Sequence, residues 1–280
     1  MDDVERLFDD MAFEYDELEP WYEHLYARVH DILRQALGSP PAAAEVAALD
    51  AGCGTGFQTA ILQSLGYRTH GIDLSARSLE VARARLPRAT FVRGRLEALP
   101  YHDGRFDAVS CCGSTLSFVT DPARAMRELG RVLSPGGRLL LEVEHKWSAD
   151  LVWMAAGALT GDGLGYGVSA RELWRALARP LSAGCVIAYP GYGDLRLFTV
   201  AELEGLMQAA GLLPIRRWGI HSATGLLPST VLHRRRLPRG LGRIYAGLRV
   251  VDRWASRLPP ARALASSVVI LATKRLASAS

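Results

Sequence analysis

The chain is predicted to fold as a doubly wound α/β domain around a mostly parallel sheet, and three features of the sequence predict it. Between residues 45 and 145, strand-like runs that are apolar almost throughout alternate with helical patterns, which suits a sheet covered on both faces. The first such run ends in a turn with glycine at alternate positions, Gly52, Gly54 and Gly56, ahead of a helix-like segment. The second run ends in a carboxylate, Asp73, 21 residues after Gly52.

At 280 residues the chain can bury a full core as a single domain. It divides into an N-terminal helical lid (1–40), a ligand-binding core (45–145), a cap insertion (146–198) and a C-terminal part of the sheet (199–280). In the lid, Val4, Leu7, Phe8, Met11 and Tyr15, then Trp21, Leu25, Val29, Ile32 and Leu33, recur at helical spacing, broken at Pro20. In the core, a strand over Glu45 to Ala51 leads through the glycine turn into a helix from Phe57 to Leu65. A second strand ends at Asp73, and a helix from Ser78 to Leu86 stops at Pro87. Strands over Thr90 to Arg93 and Phe106 to Cys112 follow, then a helix capped by Asp121 with Pro122 in its first turn. Ser134 to Gly137 turns the chain into a fifth strand, RLLLEVE.

The insertion is aromatic and glycine-rich, with one short helix announced by a capping box, Ser169 to Glu172. A second box, Thr199 to Glu202, opens a helix closed by Gly211. A sixth strand runs through Ile220, and Ser266 to Arg275 reads as the last. Between them Leu241, Ile244, Tyr245, Leu248, Val251 and Trp254 share one side of a basic amphipathic helix. Such a helix either packs on the sheet or rests on a membrane surface to reach a lipid-like acceptor.

Composition narrows the function classes. Hydrophobic residues at 49% and charged residues at 22% are those of a globular enzyme. The acidic N-terminus, MDDVERLFDD, has no signal-peptide core, and no apolar run nears a membrane span, so a cytoplasmic soluble protein is expected. Cys53, Cys111, Cys112 and Cys185 show neither metal spacing nor a disulfide framework. The net charge of +4 is unevenly placed, with a basic run from His233 to Arg243 that reads as solvated surface or as a contact for phosphate.

The glycine turn and Asp73 together describe a site for an adenosyl ribose. Glycines let backbone approach a ligand closely, and a carboxylate at the end of the second strand accepts hydrogen bonds from both ribose hydroxyls. A dinucleotide site wants G-x-G-x-x-G with pyrophosphate at the helix N-terminus, whereas this turn is G-x-G-x-G. Asp50, just before it, would repel a pyrophosphate but suits an ammonium group. An amino acid joined to adenosine is S-adenosylmethionine.

These motifs resemble the class I S-adenosylmethionine-dependent methyltransferases, in the small-molecule branch related to ubiquinone and menaquinone biosynthesis (methyltransferase type 11). LDAGCGTG (Leu49 to Gly56), GIDLS (Gly71 to Ser75), EALPYHDGRFDAV (Glu97 to Val109) and RELGRVLSPGGRLLL (Arg127 to Leu141) carry the resemblance. It implies a seven-stranded Rossmann-like sheet whose last strand enters antiparallel beside the fifth. It also implies Gly52, Gly54 and Gly56 at the methionine end of the cofactor, Asp73 on its ribose and Leu74 on one face of adenine. Tyr15 matches a tyrosine that closes over the cofactor, and it reads equally as a helix aromatic packed on the sheet. Arg95 departs from the pattern, standing where the family usually has an Asp for the adenine amino group, which leaves the backbone around Leu96 to serve adenine.

Methyl transfer from a sulfonium depends chiefly on alignment, so a shaped pocket matters more than a catalytic triad. Where the acceptor must lose a proton, a histidine is the best-tuned base, and His145 and His221 both follow strands at the carboxyl edge. Ser114 and Thr115, past the fourth strand, are candidates to touch cofactor or acceptor, or simply turn formers. Aromatics in the lid and insertion, among them Tyr26, Trp153, Tyr166 and Trp174, are expected to roof the pocket for a small hydrophobic or aromatic acceptor methylated at O or C. The rivals are an RNA methyltransferase using Arg234 to Arg236, a non-catalytic S-adenosylmethionine-binding protein and, third, a dehydrogenase. No metal is expected, and the sequence is silent on oligomeric state.

Overall fold

The computed structural model describes residues 3–13, 20–41, 45–162, 165–189, 193–232, 239–255, 258–259 and 263–276. Helices α1 (Asp3–Met11) and α2 (Pro20–Leu37) precede β1 (Ala47–Ala51), α3 (Phe57–Ser64), β2 (Arg68–Asp73), α4 (Ala76–Arg85), β3 (Thr90–Arg93) and β4 (Phe106–Cys111). A 3₁₀ turn (Thr115–Phe118), α5 (Pro122–Val132) and β5 (Leu133–Glu144) complete the core. Pro20 opens α2 rather than merely breaking the lid, because a first-turn residue has no helical partner for the N–H that proline lacks.

Seven strands form one sheet in the order β3-β2-β1-β4-β5-β9-β8. The first five are parallel, and β9 (Ser267–Lys274) is antiparallel to both β5 and β8 (Leu212–Ile220), as the resemblance implied. The strand order reverses beside β1, which puts the glycine turn at the switch point where open α/β sheets bind ligands. The SPGG turn is a bulge inside β5: Leu133 faces Phe106 and the next partner of β4, Ala108, is already Arg138.

Alternation along the strands divides the core in two. Leu139, Leu141 and Val143 join Met126 and Leu129 of α5 and Leu203 and Met207 of α8 (Val200–Ala209) on one face. Ala48 and Leu140 join Val29, Ile32 and Leu33 of α2 and Ile61 and Leu62 of α3 on the other. Each fully buried aliphatic side chain contributes roughly 1.5–3 kcal/mol. By the same alternation Asp50, Glu142 and Glu144 fall on the α2 face, near the carboxyl edge.

The insertion differs most from expectation. It holds two helices, α6 (Ala149–Leu159) and α7 (Ala170–Leu177), and an antiparallel hairpin of β6 (Cys185–Tyr189) and β7 (Gly193–Leu197). These enclose their own core of Met154, Tyr166, Leu173, Ile187 and Leu195. The capping box of α7 is complete, whereas at α8 only its first half forms. Glu202 turns away to accept from the Gly184 amide at 2.9 Å and to pair with Arg196, tying the insertion to α8. Helix α9 (Ser229–Leu232) and helix α10 (Arg239–Ala255) follow β8, and α10 packs on a 3₁₀ turn (Thr224–Leu226). Among the described residues no helix is long and apolar enough to cross a membrane. Tyr15, Arg234, Arg235 and Arg236 lie outside the described residues.

Candidate active site

A cavity of about 780 Å³ opens at the carboxyl edge. Gly52, Cys53, Gly54 and Thr55 form its floor; Asp73, Leu74, Arg95 and Leu96 line it from β2 and β3; Gly113 and Thr115 line it past β4. Its volume lies within the roughly 300–1,000 Å³ usual for small-molecule sites.

The glycine turn is locked from both sides. Gly52 has φ +80°, and a Cβ there would stand 2.2 Å from the Thr115 Cγ2. Gly56 has φ +93° and packs on Ala82 and Leu86 at the end of α4. Asp73 holds the turn to β2: its carboxylate accepts from the Gly54 amide at 2.8 Å and from the Ser75 amide at 2.9 Å. These two bonds leave acceptor positions on the carboxylate for further hydroxyls. Gly52→Ala is therefore expected to cost roughly 2–4 kcal/mol, from left-handed strain together with overpacking against Thr115. Gly54→Ala, which meets open space at φ +49°, should cost less, about 1–2 kcal/mol. Thermal denaturation of the two variants checks the order, and equal melting temperatures would contradict it.

Asp50 does not reach the cavity wall. It is buried, accepts from Thr59 Oγ1 at 2.6 Å, and burial, with the nearby Asp73, pushes its carboxyl up to about 7.

Ser114 also departs from expectation. Its Oγ donates toward Glu144 at 2.9 Å, its amide donates to Glu142 at 2.7 Å, and it does not line the cavity. Glu142 takes the Gly113 amide as well, at 2.9 Å, so the buried carboxylate pins the turn after β4. Burial and the neighbouring Glu142 push Glu144 up to about 8. Of the pair Ser114 and Thr115, the one that lines the cavity is Thr115, whose Oγ1 donates to the Cys112 carbonyl at 2.9 Å.

Neither expected base lines the cavity. His145 is buried, and its Nδ1 donates to the Ala265 carbonyl at 3.1 Å, holding β5 to the approach of β9. His221 sits at φ +62° with Nδ1 2.8 Å from Thr224 Oγ1, which itself donates to Asp252 at 2.6 Å. Thr224 must then accept from His221, whose ring is kept neutral by burial with its pKa held down at about 4. Both rings serve the packing of the C-terminal elements.

The histidine that does line the cavity is His30. It shares a wall of α2 with Tyr26, Asp31 and Arg34, opposite the core-facing Val29, Ile32 and Leu33. Burial and Arg34 hold His30 down at about 4, so the ring is neutral near pH 7, and its Nε2 has no hydrogen-bond partner among the described residues. The spacing of 26, 27, 30, 31 and 34 marks this face, but only the packed fold shows that it meets a cavity. Helix α1 adds Val4 and Phe8. It is docked by Asp9, which accepts from Ser75 Oγ at 2.6 Å, and by the Glu5–Arg93 ion pair. Of the aromatic roof expected from the lid and the insertion together, the described residues show the lid's part. Tyr166 is buried in the insertion's own core and Trp174 is exposed, and no described residue of 146–198 lines the cavity.

A seven-stranded sheet with its last strand inserted antiparallel, a glycine turn at the switch point and a carboxylate closing β2 are the arrangement that the resemblance to S-adenosylmethionine-dependent methyltransferases implied. Residues 49–141 match the methyltransferase domain family. A demethylmenaquinone methyltransferase of Renibacterium salmoninarum is 33% identical over 150 residues, covering 51% of this chain and 60% of that protein. The chain thus matches under two thirds of that relative's length. Among solved structures, the [4+2]-cyclase SpnF superposes with a TM-score of 0.57 at 22% identity, covering 89% of this chain and 82% of that one. A 1,6-didemethyltoxoflavin-N1-methyltransferase of Burkholderia thailandensis, with S-adenosylhomocysteine bound, gives 0.55 at 20% identity, covering 96% and 87%. Both structural likenesses show the fold.

Proposed function

We propose that the chain transfers a methyl group from S-adenosylmethionine to O or C of a small, largely hydrophobic acceptor. One observation carries the reading: a single cavity joins the glycine turn and Asp73 to a wall of Phe8, Tyr26, Phe118 and Val119. When bound, the cofactor supplies an activated methyl on a sulfonium, and the chain's work is to hold and align. Gly52 and Gly54 form the cradle for its methionine end, and Gly56 lets the turn pack against α4 behind it. Asp73 takes the ribose hydroxyls, with Leu74 and Leu96 flanking the adenine. Arg95 stands on the adenine side of the wall, so recognition of the base falls to the backbone near Leu96. Tyr15 is proposed to close over the site.

His30 is the proposed base for an acceptor that must lose a proton, in place of His145 and His221, because of the three it is the one that lines the cavity. With an acceptor in hand, His30→Gln is expected to lower the single-turnover rate by about 10²-fold or more while leaving cofactor affinity within threefold. An unchanged rate would remove His30 from this role.

The fold alone does not settle the reaction, since a protein named as a cyclase shares it. Turnover discriminates: a metabolite extract incubated with methyl-labelled S-adenosylmethionine should give a labelled product and S-adenosylhomocysteine. Tight binding without transfer favours a non-catalytic role, and calorimetric binding of NAD with no response to S-adenosylmethionine overturns the reading.

A further inference from the structure

Helix α10 carries two apolar stripes, and the fold uses one of them. Leu241, Tyr245, Leu248 and Asp252 recur at helical spacing on the inward side. Tyr245 is buried, and the Asp252 carboxylate accepts from the Ala223 amide at 2.6 Å and from Thr224 Oγ1 at 2.6 Å. The second stripe, Ile244, Gly247, Val251 and Trp254, faces outward: Ile244 is 55% exposed, Val251 52% and Trp254 69%. Val250 beside it is exposed as well, as are Leu226 on the 3₁₀ turn and Leu258 beyond the helix.

The charge of the helix is as one-sided as its apolar surface. Its sequence, RGLGRIYAGLRVVDRWA, holds four arginines and one carboxylate, and that carboxylate is the inward Asp252. Exposed Arg243 and Arg253 border the outward stripe. The outward face is therefore apolar and cationic, with no acidic side chain of the helix on it.

We infer that this face docks on an anionic lipid surface, with Trp254, Val251 and Ile244 entering the headgroup boundary and Arg243 and Arg253 meeting lipid phosphates. An interfacial helix needs an apolar stripe flanked by basic residues, with an aromatic suited to the interface, and this one presents all three. A symmetric contact with a second copy would set arginine against arginine, since each copy offers the same patch. A nucleic-acid backbone would use the arginines and leave the apolar stripe in water. The inference stands apart from methyl transfer, although a hydrophobic acceptor is most concentrated at such a surface.

Sedimentation of the full chain with phosphatidylcholine vesicles, with and without phosphatidylglycerol, tests it. Binding is expected only with the anionic lipid and should weaken as salt rises. Val251→Ser/Trp254→Ser should weaken it about tenfold or more. Arg243→Glu, which leaves the apolar stripe intact, should weaken it about fivefold. All of these positions are exposed, so the melting temperatures should change little. Trp174→Ser, on the exposed side of α7, should bind as the parent does. Failure to bind anionic vesicles, equal loss in the Trp174 variant, or a dimer in light scattering that the Val251/Trp254 variant disperses would each overturn the inference.

Discussion

Asp73→Ala is expected to lower the affinity for S-adenosylmethionine at least tenfold. The carboxylate is asked to do two things at once, and the substitution removes both. It would take the ribose hydroxyls, and losing hydrogen bonds to a charged group costs about 1.5–3 kcal/mol. It also fixes the Gly54 and Ser75 amides, so the variant loses the restraint that shapes the cradle before any ligand arrives. Calorimetry reads the affinity directly. Thermal shift gives an independent measure, because a saturating ligand raises the melting temperature only as far as it binds the native state. If the variant retains the parent's affinity, Asp73 is a loop anchor and the ribose assignment is wrong.

Asp50→Asn should show the opposite sign in stability. The folded-state pKa of Asp50 is about 7, well above the 3.8 of an ordinary aspartate. Its burial therefore carries no charge penalty below about pH 4, and the penalty grows as the pH rises through 7. A shift of about three pH units corresponds to an upper limit of roughly 4 kcal/mol, from which an unpaired asparagine NH₂ takes back about 1 kcal/mol. The variant should thus be more stable than the parent by about 1–3 kcal/mol at pH 8 and no more stable near pH 4. A bound ammonium would favour the ionised carboxylate, so the same variant should bind S-adenosylmethionine more weakly. Binding to the parent below pH 7 should also release a proton, measurable as a buffer-dependent heat. A variant less stable than the parent at pH 8 would mean that Asp50 is ionised and well paired.

The parts legible in the sequence share a short-range cause. The glycine turn, the Asp121 and Ser169 caps and the strand ends at Asp73 and Arg93 depend on neighbours a few residues away, and all form where expected. The insertion was less legible. ADLVWMAAGAL is apolar nearly all round, so α6 shows no periodic face, and β6 and β7 define themselves only by pairing with each other. Site residues divide the same way. Ser114 and Thr115 are adjacent and chemically alike, yet one is drawn to Glu142 and Glu144 across the sheet while the other turns to the cavity.

The sequence by itself determined the sheet class, the glycine turn and the carboxylate at the end of β2, because close backbone approach demands glycine and strand alternation demands apolar runs. Only the tertiary structure decided which side chains meet the cavity. It placed His145 and His221 in packing and His30 on the wall, and among the described residues it lined the cavity from α1 and α2 and not from the insertion. A side chain's surroundings come from elements distant in sequence, here α2 laid against the switch point and an insertion that satisfies its own core.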